Sequence, residues 1–163
     1  TTIRYSGTFA SAVREPYTVF PLDIRQSEVR TVEEAVASFL QPEKLNMQDK
    51  KASKHVRVTH WPDVLVLHLK RFMFDENGAS KILKRLAFPE RLNMQSEARP
   101  TVGTEEVVYS LIAVVLHHGK QPSEGHYTAM VKRESARGDT WLSVDDEQVR
   151  TISVGDVLAQ QQQ

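Results

Sequence analysis

The chain has 163 residues, with 21 basic and 21 acidic side chains and a formal net charge of zero at pH 7. This length fits one domain or a large part of one, and a neutral chain has no overall field that attracts nucleic acid or anionic membranes. The sequence contains no cysteine, which excludes disulfide bonds and argues against a structural zinc site. No apolar run reaches the roughly 18 residues of a membrane span. We therefore expect no nucleic-acid or membrane partner, no metal or cofactor, and an intracellular address, cytoplasmic or nuclear.

The N-terminal quarter contains one clear helix signal. Residues 1–15 show no period and predict a loop or a frayed edge. The short apolar segments on either side of Pro21 predict an edge strand, because proline cannot donate to a β ladder. Thr31 and Glu34 have the spacing of a capping box. The apolar residues that follow share one helical face and stop before Pro42; they are Val32, Ala35, Val36, Phe39 and Leu40.

The middle of the chain predicts strands and turns. They are, in order, a short strand over 54–59, a strand over 64–69 that continues through 72–74, a hairpin turn at Asn77-Gly78, a return strand over 82–88, and a polar loop over 93–104. The apolar run 64–69 is typical of a strand covered on both faces. Asn77 and Gly78 predict the turn because both residue types tolerate positive φ.

Strands also dominate the C-terminal third. The predicted elements are a long apolar strand over 107–118, a flexible loop over 119–125, a strand over 126–131, a hairpin turn at Gly138-Asp139, a strand over 141–144, a short capped helix over 153–160 and a disordered tail over 160–163. No internal repeat is apparent, and strands are the main element of this part of the chain.

Two side chains at the ends of this last pair of strands suit hydrolytic chemistry. His126 opens one strand and Asp145 closes the next, with the turn at Gly138 about midway between them. In an antiparallel hairpin those positions lie side by side at one end of the ribbon. Histidine suits a general base because its unperturbed pKa is about 6.5. A carboxylate bonded to Nδ1 would fix the tautomer so that Nε2 faces a nucleophile.

Other interpretations of these residues are weaker. His126 alone would be an ordinary polar residue, and His68, inside an apolar run, suggests a core histidine rather than a ligand. Ser123 has no nucleophile elbow around it, so a serine hydrolase is rejected. A metal site is disfavoured because its candidate ligands follow no compact pattern; these are His117, His118, His126 and Asp145.

Several segments resemble, in the right order, those of the ubiquitin-specific proteases. The pentapeptide Gly-His-Tyr-Thr-Ala at 125–129, followed by Trp-Leu-Ser-Val-Asp-Asp at 141–146, resembles the histidine box of that family. The resemblance extends upstream through 62–72, Lys81-Ile82, Phe88-Pro89 and 113–119. It covers nearly the whole chain, and among human members the subgroup numbered ten is the most similar.

The resemblance implies roles for particular residues. His126 would be the general base, Asp145 its orienting partner and Asp146 a nearby polar support. Six other positions match residues that line the channel for the ubiquitin tail: Arg71, Phe72, Lys81, His117, Gly125 and Tyr127. The fold implied is α+β: the mostly antiparallel β palm and fingers of a papain-like cysteine protease, with the helical thumb missing. The partners implied are ubiquitin and ubiquitinated proteins.

The departures from the family pattern concern its cysteines. The family's cysteine box, with the nucleophile, lies in an N-terminal region that this chain does not contain, and the paired cysteines of its zinc fingers are absent. We therefore expect residues 1–163 to be a partial catalytic domain without the helical thumb. Such a chain would be inactive alone and would expose an apolar seam, and the thumb segment would be a further partner. The alternatives are a non-catalytic ubiquitin-binding scaffold and, less consistent with the ordered motifs, an unrelated β-rich interaction domain.

Overall fold

The computed structural model describes residues 2–5, 10–47, 50–76, 78–94, 107–136 and 138–160. Within these ranges the chain forms fourteen strands and two helices. The elements are β1 (Thr2–Tyr5), β2 (Ala10–Ala12), β3 (Phe20–Leu22), α1 (Val32–Leu40), β4 (Glu43–Met47), β5 (Lys50–His55), β6 (Leu67–Leu69), β7 (Phe72–Asp75), β8 (Gly78–Lys81), β9 (Arg91–Asn93), β10 (Val108–Ser110), β11 (Ala113–Gln121), β12 (Glu124–Arg133), β13 (Thr140–Asp145), β14 (Gln148–Ile152) and α2 (Val154–Ala159). Neither described helix is long and apolar enough to cross a membrane.

The described strands form two larger sheets and three small ones. The four-stranded sheets have the orders β2-β1-β5-β4 and β11-β12-β13-β14, and the two-stranded ones pair β10 with β9, β3 with β6 and β7 with β8. Of these ladders only β3–β6 is parallel. The predicted α+β class with mostly antiparallel sheet is therefore confirmed.

Helix α1 begins where the capping box predicts. The Thr31 hydroxyl accepts from the Glu34 amide at 3.1 Å, and the Glu34 carboxylate accepts from the Thr31 amide at 3.0 Å. The buried face of the helix consists of Val32, Ala35 and Val36. The predicted helix and its apolar face are confirmed.

Two groups of buried side chains form the core of the described structure. The larger one packs α1 against β3 and the segments around β9; its members are Phe20, Leu22, Ile24, Val29, Val32, Ala35, Val36, Leu86, Leu92 and Met94. The smaller one consists of Leu116, Met130, Trp141 and Val157. Phe88 is partly buried against both, so it links them. The second group fixes the sheet that carries the predicted catalytic side chains.

That sheet, β11-β12-β13-β14, is a run of three hairpins. Gln121 pairs with Glu124 across the first turn, and Asp145 pairs with Gln148 across the last. The predicted turn between β12 and β13 is confirmed, with Gly138 at φ 111°. The predicted short helix is confirmed as α2, whose N-cap Ser153 forms a capping box.

The N-terminal prediction of a loop was wrong. Residues 2–5 and 10–12 are strands, and β1 lies between β2 and β5 with antiparallel pairing to both. Strand β2 pairs with the neighbouring β1, but β1 also pairs with β5, about fifty residues away. Strands of four and three residues are too short for a period to be evident. The strand predicted over 54–59 instead spans 50–55. The edge strand around Pro21 is confirmed as β3.

The apolar run 64–69 is not a strand covered on both faces. Only Leu67–Leu69 is strand, while Val64 is 61% and Val66 47% exposed. His68 is exposed as well, so it is not a core histidine. An apolar run indicates that its side chains are favourable to bury. Within the described structure, Val64 and Val66 remain exposed to solvent.

The β7–β8 hairpin forms, but with a different return strand. Gly78 has φ 111°, as the turn prediction requires, and Asn77 lies outside the described residues. The return strand is Gly78–Lys81, so the prediction of 82–88 was wrong. In that segment Ala87 forms an isolated bridge with Thr31. A short hairpin cannot place its return strand several residues beyond the turn.

Further boundaries differ in the C-terminal half. The predicted strand 107–118 is divided at 111–112 into β10 and β11, and the predicted loop 119–125 is mostly strand, because β11 reaches Gln121 and β12 starts at Glu124. Strand β14 was missed because its residues are mostly exposed and show no apolar alternation. Gln160 caps α2 through its amide and is not part of a tail. The rest of the predicted tail, and most of the predicted loop 93–104, lie outside the described residues.

Candidate active site

His126 and Asp145 meet at one end of the β12–β13 ribbon. His126 Nε2 and Asp145 Oδ1 are 2.5 Å apart, and the two side chains are 45% and 52% exposed. Ala129 pairs with Val144, so Asp145 lies opposite the next residue toward the start of β12. His126 is two residues further along the same face, within the diagonal reach of cross-strand side chains. The predicted juxtaposition of the two side chains is present.

The ring nitrogen that meets the carboxylate is not the expected one. We predicted that Asp145 would bind Nδ1, but it contacts Nε2. An ionised carboxylate only accepts, so Nε2 carries the proton and Nδ1 is the basic nitrogen of the neutral ring. The expected arrangement followed the serine-protease pattern.

The carboxylate raises the pKa of His126. The cause is first the hydrogen bond that the ring donates to Asp145 and then the negative charges of Asp145 and Asp146, which together outweigh the desolvation of the ring. The imidazolium of His126 therefore persists to a higher pH than that of a free histidine. A base with this environment suits an ion pair with a thiolate.

Asp146 occupies the tight turn between β13 and β14. Its φ of 50° is in the left-handed region, which aspartate tolerates better than most residues. Ligand atoms of His126, Asp145 and Asp146 all lie within 4.8 Å of one another, a spacing that a cation could bridge. Among the described residues, His117 and His118 do not join this group, so the four ligands considered from the sequence are not assembled.

A cavity of about 890 Å³ adjoins this end of the sheet. Five of the six predicted channel residues line it: Arg71, Phe72, Lys81, His117 and Tyr127. The sixth, Gly125, lies directly beneath the His117 ring. The remaining lining is mainly apolar and comes from the segments 64–69 and 110–116.

His117 is held between two aromatic rings and a lysine. Its ring lies 5.2 Å from Phe72 and 4.8 Å from Tyr127, centroid to centroid, in edge-on arrangements. Lys81 Nζ lies 3.3 Å from His117 Nδ1. The pKa of His117 is lowered, first by desolvation and then by the charges of Lys81 and His118. His117 is thus held in the neutral form.

Arg71 has a structural partner set. Its Nη1 donates to the carbonyls of Ile82 at 3.0 Å and Lys84 at 2.8 Å, and burial lowers the pKa of the guanidinium. Nη1 of Arg71 therefore holds the backbone of residues 82–84, which follow β8, in place. The sequence resemblance alone did not indicate this role.

Gly125 permits the close packing of β11 and β12. A Cβ at this position would lie 2.5 Å from the His118 carbonyl oxygen and still closer to His117 Nε2, distances that real Cβ atoms do not show. The glycine is therefore required by the neighbouring histidine ring and backbone.

Two further residues lie beside His126 and were not selected from the sequence as site residues of a protease. His118 pairs with His126 across β11 and β12, and His118 Nε2 lies 2.7 Å from Thr128 Oγ1. The rings of His118 and His126 are 6.3 Å apart. The alternation of strand residues that puts 126 and 128 on one face was the signal that could have found Thr128.

The sequence and the fold were compared with those of known proteins. The family model described as ubiquitin carboxyl-terminal hydrolase matches residues 12–163. The chain belongs to this family. The predicted relationship to ubiquitin-specific proteases is confirmed, and with it the assignment to part of a papain-like catalytic fold.

Individual relatives agree with this assignment. Ubiquitin carboxyl-terminal hydrolase 24 of Arabidopsis thaliana is 33% identical over 168 residues, covering 98% of this chain and 30% of the relative. Ubiquitin carboxyl-terminal hydrolase 10 of Rattus norvegicus is 34% identical over 155 residues, covering 88% of this chain and 19% of the relative. The subgroup suggested by the sequence is therefore among the matches.

Solved structures show the same fold. The SAGA Ubp8/Sgf11/Sus1/Sgf73 DUB module bound to ubiquitin aldehyde matches with a TM-score of 0.82 and 29% identity, over 99% of this chain and 38% of that chain. The SAGA DUB module bound to monoubiquitin matches with a TM-score of 0.80 and 28% identity. The hydrolase-family chain described here thus spans well under half the length of the proteins it matches.

Proposed function

We propose that this chain supplies the general base and the orienting acid for thiol-dependent hydrolysis of the peptide or isopeptide bond at the ubiquitin C-terminal glycine. The observation that carries the proposal is the contact of 2.5 Å between His126 Nε2 and Asp145 Oδ1 at an exposed ribbon end. Nδ1 of His126 would take the thiol proton, Asp145 would hold the ring, and the charge of Asp146 would favour the imidazolium.

The cavity beside the base would hold the extended ubiquitin tail. Phe72, His117 and Tyr127 form a continuous aromatic wall next to Gly125, and Tyr127 remains 61% exposed. Rings of this kind offer large contact areas to a peptide with little side-chain entropy to lose. The SAGA DUB modules with the same fold are bound to ubiquitin aldehyde and to monoubiquitin, which supports a ubiquitin site here.

A segment outside these residues would supply the nucleophile, since the chain contains no cysteine. An exposed apolar part of the cavity lining fits such a partner. Its members are Val64, Val66, Ile112 and Val115, between 47% and 69% exposed. Contiguous apolar side chains in solvent mark a surface that another polypeptide covers. We propose that the thumb segment of the family docks there.

Two measurements on ubiquitin test the proposal. The 163-residue chain is titrated into labelled ubiquitin, and we expect the C-terminal tail resonances to shift. The same chain is then given a fluorogenic ubiquitin amide, and we expect no turnover, because the covalent pathway needs a thiol. Hydrolysis by this cysteine-free chain would overturn the mechanism, and unperturbed tail resonances would overturn the tail site.

A non-catalytic ubiquitin-binding scaffold is the second candidate, favoured by the absence of cysteine. The product of the complete natural reading frame distinguishes the two. If it hydrolyses ubiquitin amides and His126→Ala abolishes turnover without weakening ubiquitin binding, the catalytic proposal holds. If it binds ubiquitin and never hydrolyses it, the scaffold proposal holds.

A further inference from the structure

The side chain of Lys81 has three acceptors around its ammonium. Nζ lies 2.5 Å from the His117 carbonyl oxygen, 3.0 Å from the Gly119 carbonyl oxygen and 3.3 Å from His117 Nδ1. A lysine ammonium has three N–H donors and no acceptor. The three acceptors therefore match the three N–H donors, and all three acceptors belong to strand β11.

The contact with His117 Nδ1 decides the tautomer of that ring. Because the ammonium can only donate, Nδ1 must accept and cannot carry a proton. The proton of the neutral imidazole then sits on Nε2. The lowered pKa of His117, caused by desolvation and by the charges of Lys81 and His118, agrees with a neutral ring.

The ring is also fixed in orientation. Phe72 and Lys81 are partners across β7 and β8, and His117 and Tyr127 are partners across β11 and β12. One hairpin thus offers both an aromatic edge and an ammonium to the histidine of the other. On the far side of the ring, Nε2 is the atom nearest to the space that a Cβ of Gly125 would occupy.

These observations place an N–H donor beside Gly125, the residue that precedes the candidate base. We propose that Lys81 is a positioning residue, which locks His117 as the Nε2–H tautomer and so presents that N–H to a backbone carbonyl of the bound tail. This inference rests on the proposed function, because it assumes that a peptide tail crosses the channel at Gly125. Lys81 itself would not touch the substrate.

Imidazole nitrogen NMR of the chain tests the tautomer directly. With ¹⁵N-labelled histidine, and His117 assigned by its loss in His117→Gln, we expect a pyrrole-type shift for Nε2 and a pyridine-type shift for Nδ1 at neutral pH. In Lys81→Met, which keeps an unbranched side chain, one atom shorter, without a donor, we expect the two nitrogens to average toward a tautomer mixture. The same variant should bind a ubiquitin tail peptide about fivefold more weakly, the usual worth of one hydrogen bond.

Lys84→Met is the matched control. Lys84 also donates to backbone carbonyls, those of Ile24 and Gln26, but it contacts no histidine. It should leave the His117 shifts and the affinity for the tail peptide unchanged. If Lys81→Met does not fold, Lys81→Arg takes its place, and the Nε2–H tautomer should persist, since a guanidinium also only donates.

The outcomes separate this inference from the proposed function. A proton on Nδ1 in the unmodified chain, or an unchanged tautomer in a folded Lys81→Met, would overturn the role of Lys81 while leaving tail binding intact. An Nε2–H tautomer together with silent ubiquitin tail resonances would instead overturn the tail site. Equal weakening by Lys81→Met and Lys84→Met would show a general loss of stability and would also contradict the inference.

Discussion

At the scale of single residues, the site depends on which atoms of a few side chains meet. The contact between Asp145 and Nε2 of His126 leaves Nδ1 as the basic nitrogen, so any thiol must approach from that side of the ring. The His117 ring is fixed by contacts on three sides and occupies the space over Gly125. The pKa values of these two histidines are shifted in opposite directions: the hydrogen bond to Asp145 raises that of His126, whereas desolvation and then the charge of Lys81 lower that of His117.

Removing the carboxylate should lower the pKa of His126. In Asp145→Asn the hydrogen-bonded negative charge is gone, so the pKa should fall toward the ordinary value of about 6.5, measured by NMR titration of the ring. Asp23→Asn is the control, since Asp23 pairs with Arg25 and has no histidine partner. An unchanged titration of His126 would contradict the ion pair.

The same pair gives a pH dependence of stability with a definite sign. Because the pKa of His126 is raised in the folded chain, its contribution is complete below the unfolded pKa of about 6.5 and is lost as the pH rises through the folded pKa. Denaturant unfolding of the unmodified chain and of His126→Gln at several pH values measures this. The difference between the two should shrink with rising pH; a difference that grows would refute it.

A methyl group at Gly125 should displace His117. In Gly125→Ala the new Cβ would overlap the ring and the His118 carbonyl, so the two strands must separate or the ring must turn. We expect the ring contacts between His117 and Tyr127 to weaken, detected as changed ring-current shifts. Gly138→Ala is a useful comparison, since a Cβ there meets no atom within 4 Å, although its φ of 111° adds backbone strain. Unchanged His117 shifts in Gly125→Ala would contradict the close packing.

At the scale of elements, the helix caps and hairpin turns of the described structure follow from neighbouring residues. The pairing of strands that are far apart in the chain does not. Helix α1 begins at a reciprocal capping box, and α2 begins at another. By contrast, β1 and β5 pair across about fifty residues of chain. The β7–β8 hairpin contributes to the site only because it packs on β11.

Loss of the Thr31 hydroxyl should destabilise the chain by about 1 kcal/mol, the usual cost of losing an N-cap. Glu34 shares the same box, so Glu34→Ala and the double variant complete a cycle. The effects should not add, because either substitution breaks the reciprocal pair. Urea unfolding curves provide the measurement, and strictly additive losses would show that the two bonds act independently.

At the scale of the whole molecule, two buried clusters are joined through Phe88, and an apolar surface among the described residues is exposed to solvent. That surface, formed by Val64, Val66, Ile112 and Val115, is part of the cavity lining, and Val115 is 69% exposed. Burial of such side chains is worth about 25 cal/mol per Å². A partner that covers these side chains would therefore gain binding free energy from apolar area that the chain itself leaves exposed.

Substitution on this open surface should reduce self-association. We expect Val115→Ser to lower binding of a hydrophobic dye and aggregation on heating, with little change in the free energy of unfolding, because the side chain is already in solvent. Val149→Ser is the matched control, since Val149 is 59% exposed but does not line the cavity. Equal effects of the two variants would show that the cavity surface is not special.

The features predicted correctly from the sequence are those that depend on neighbouring residues. The capping box of Thr31, the turns at Gly78 and Gly138, and the placement of His126 beside Asp145 each follow from spacing along a short stretch of chain. The errors lie where a segment's own residues do not indicate its pairing or its burial. The strands at 2–5 and 10–12 have no internal signal, and the apolar run 64–69 predicted burial that the described structure leaves incomplete.

By itself the sequence determined the family, the general fold class, the absence of a thiol and the pair of side chains that meet at the ribbon end. Only the tertiary structure decided which nitrogen of His126 faces Asp145. It also decided that Lys81 contacts His117 and that Gly125 leaves space for the His117 ring. The physical reason is that spacing specifies which residues share a strand end. The direction of a ring and the approach of a second hairpin depend on packing between segments far apart in the chain.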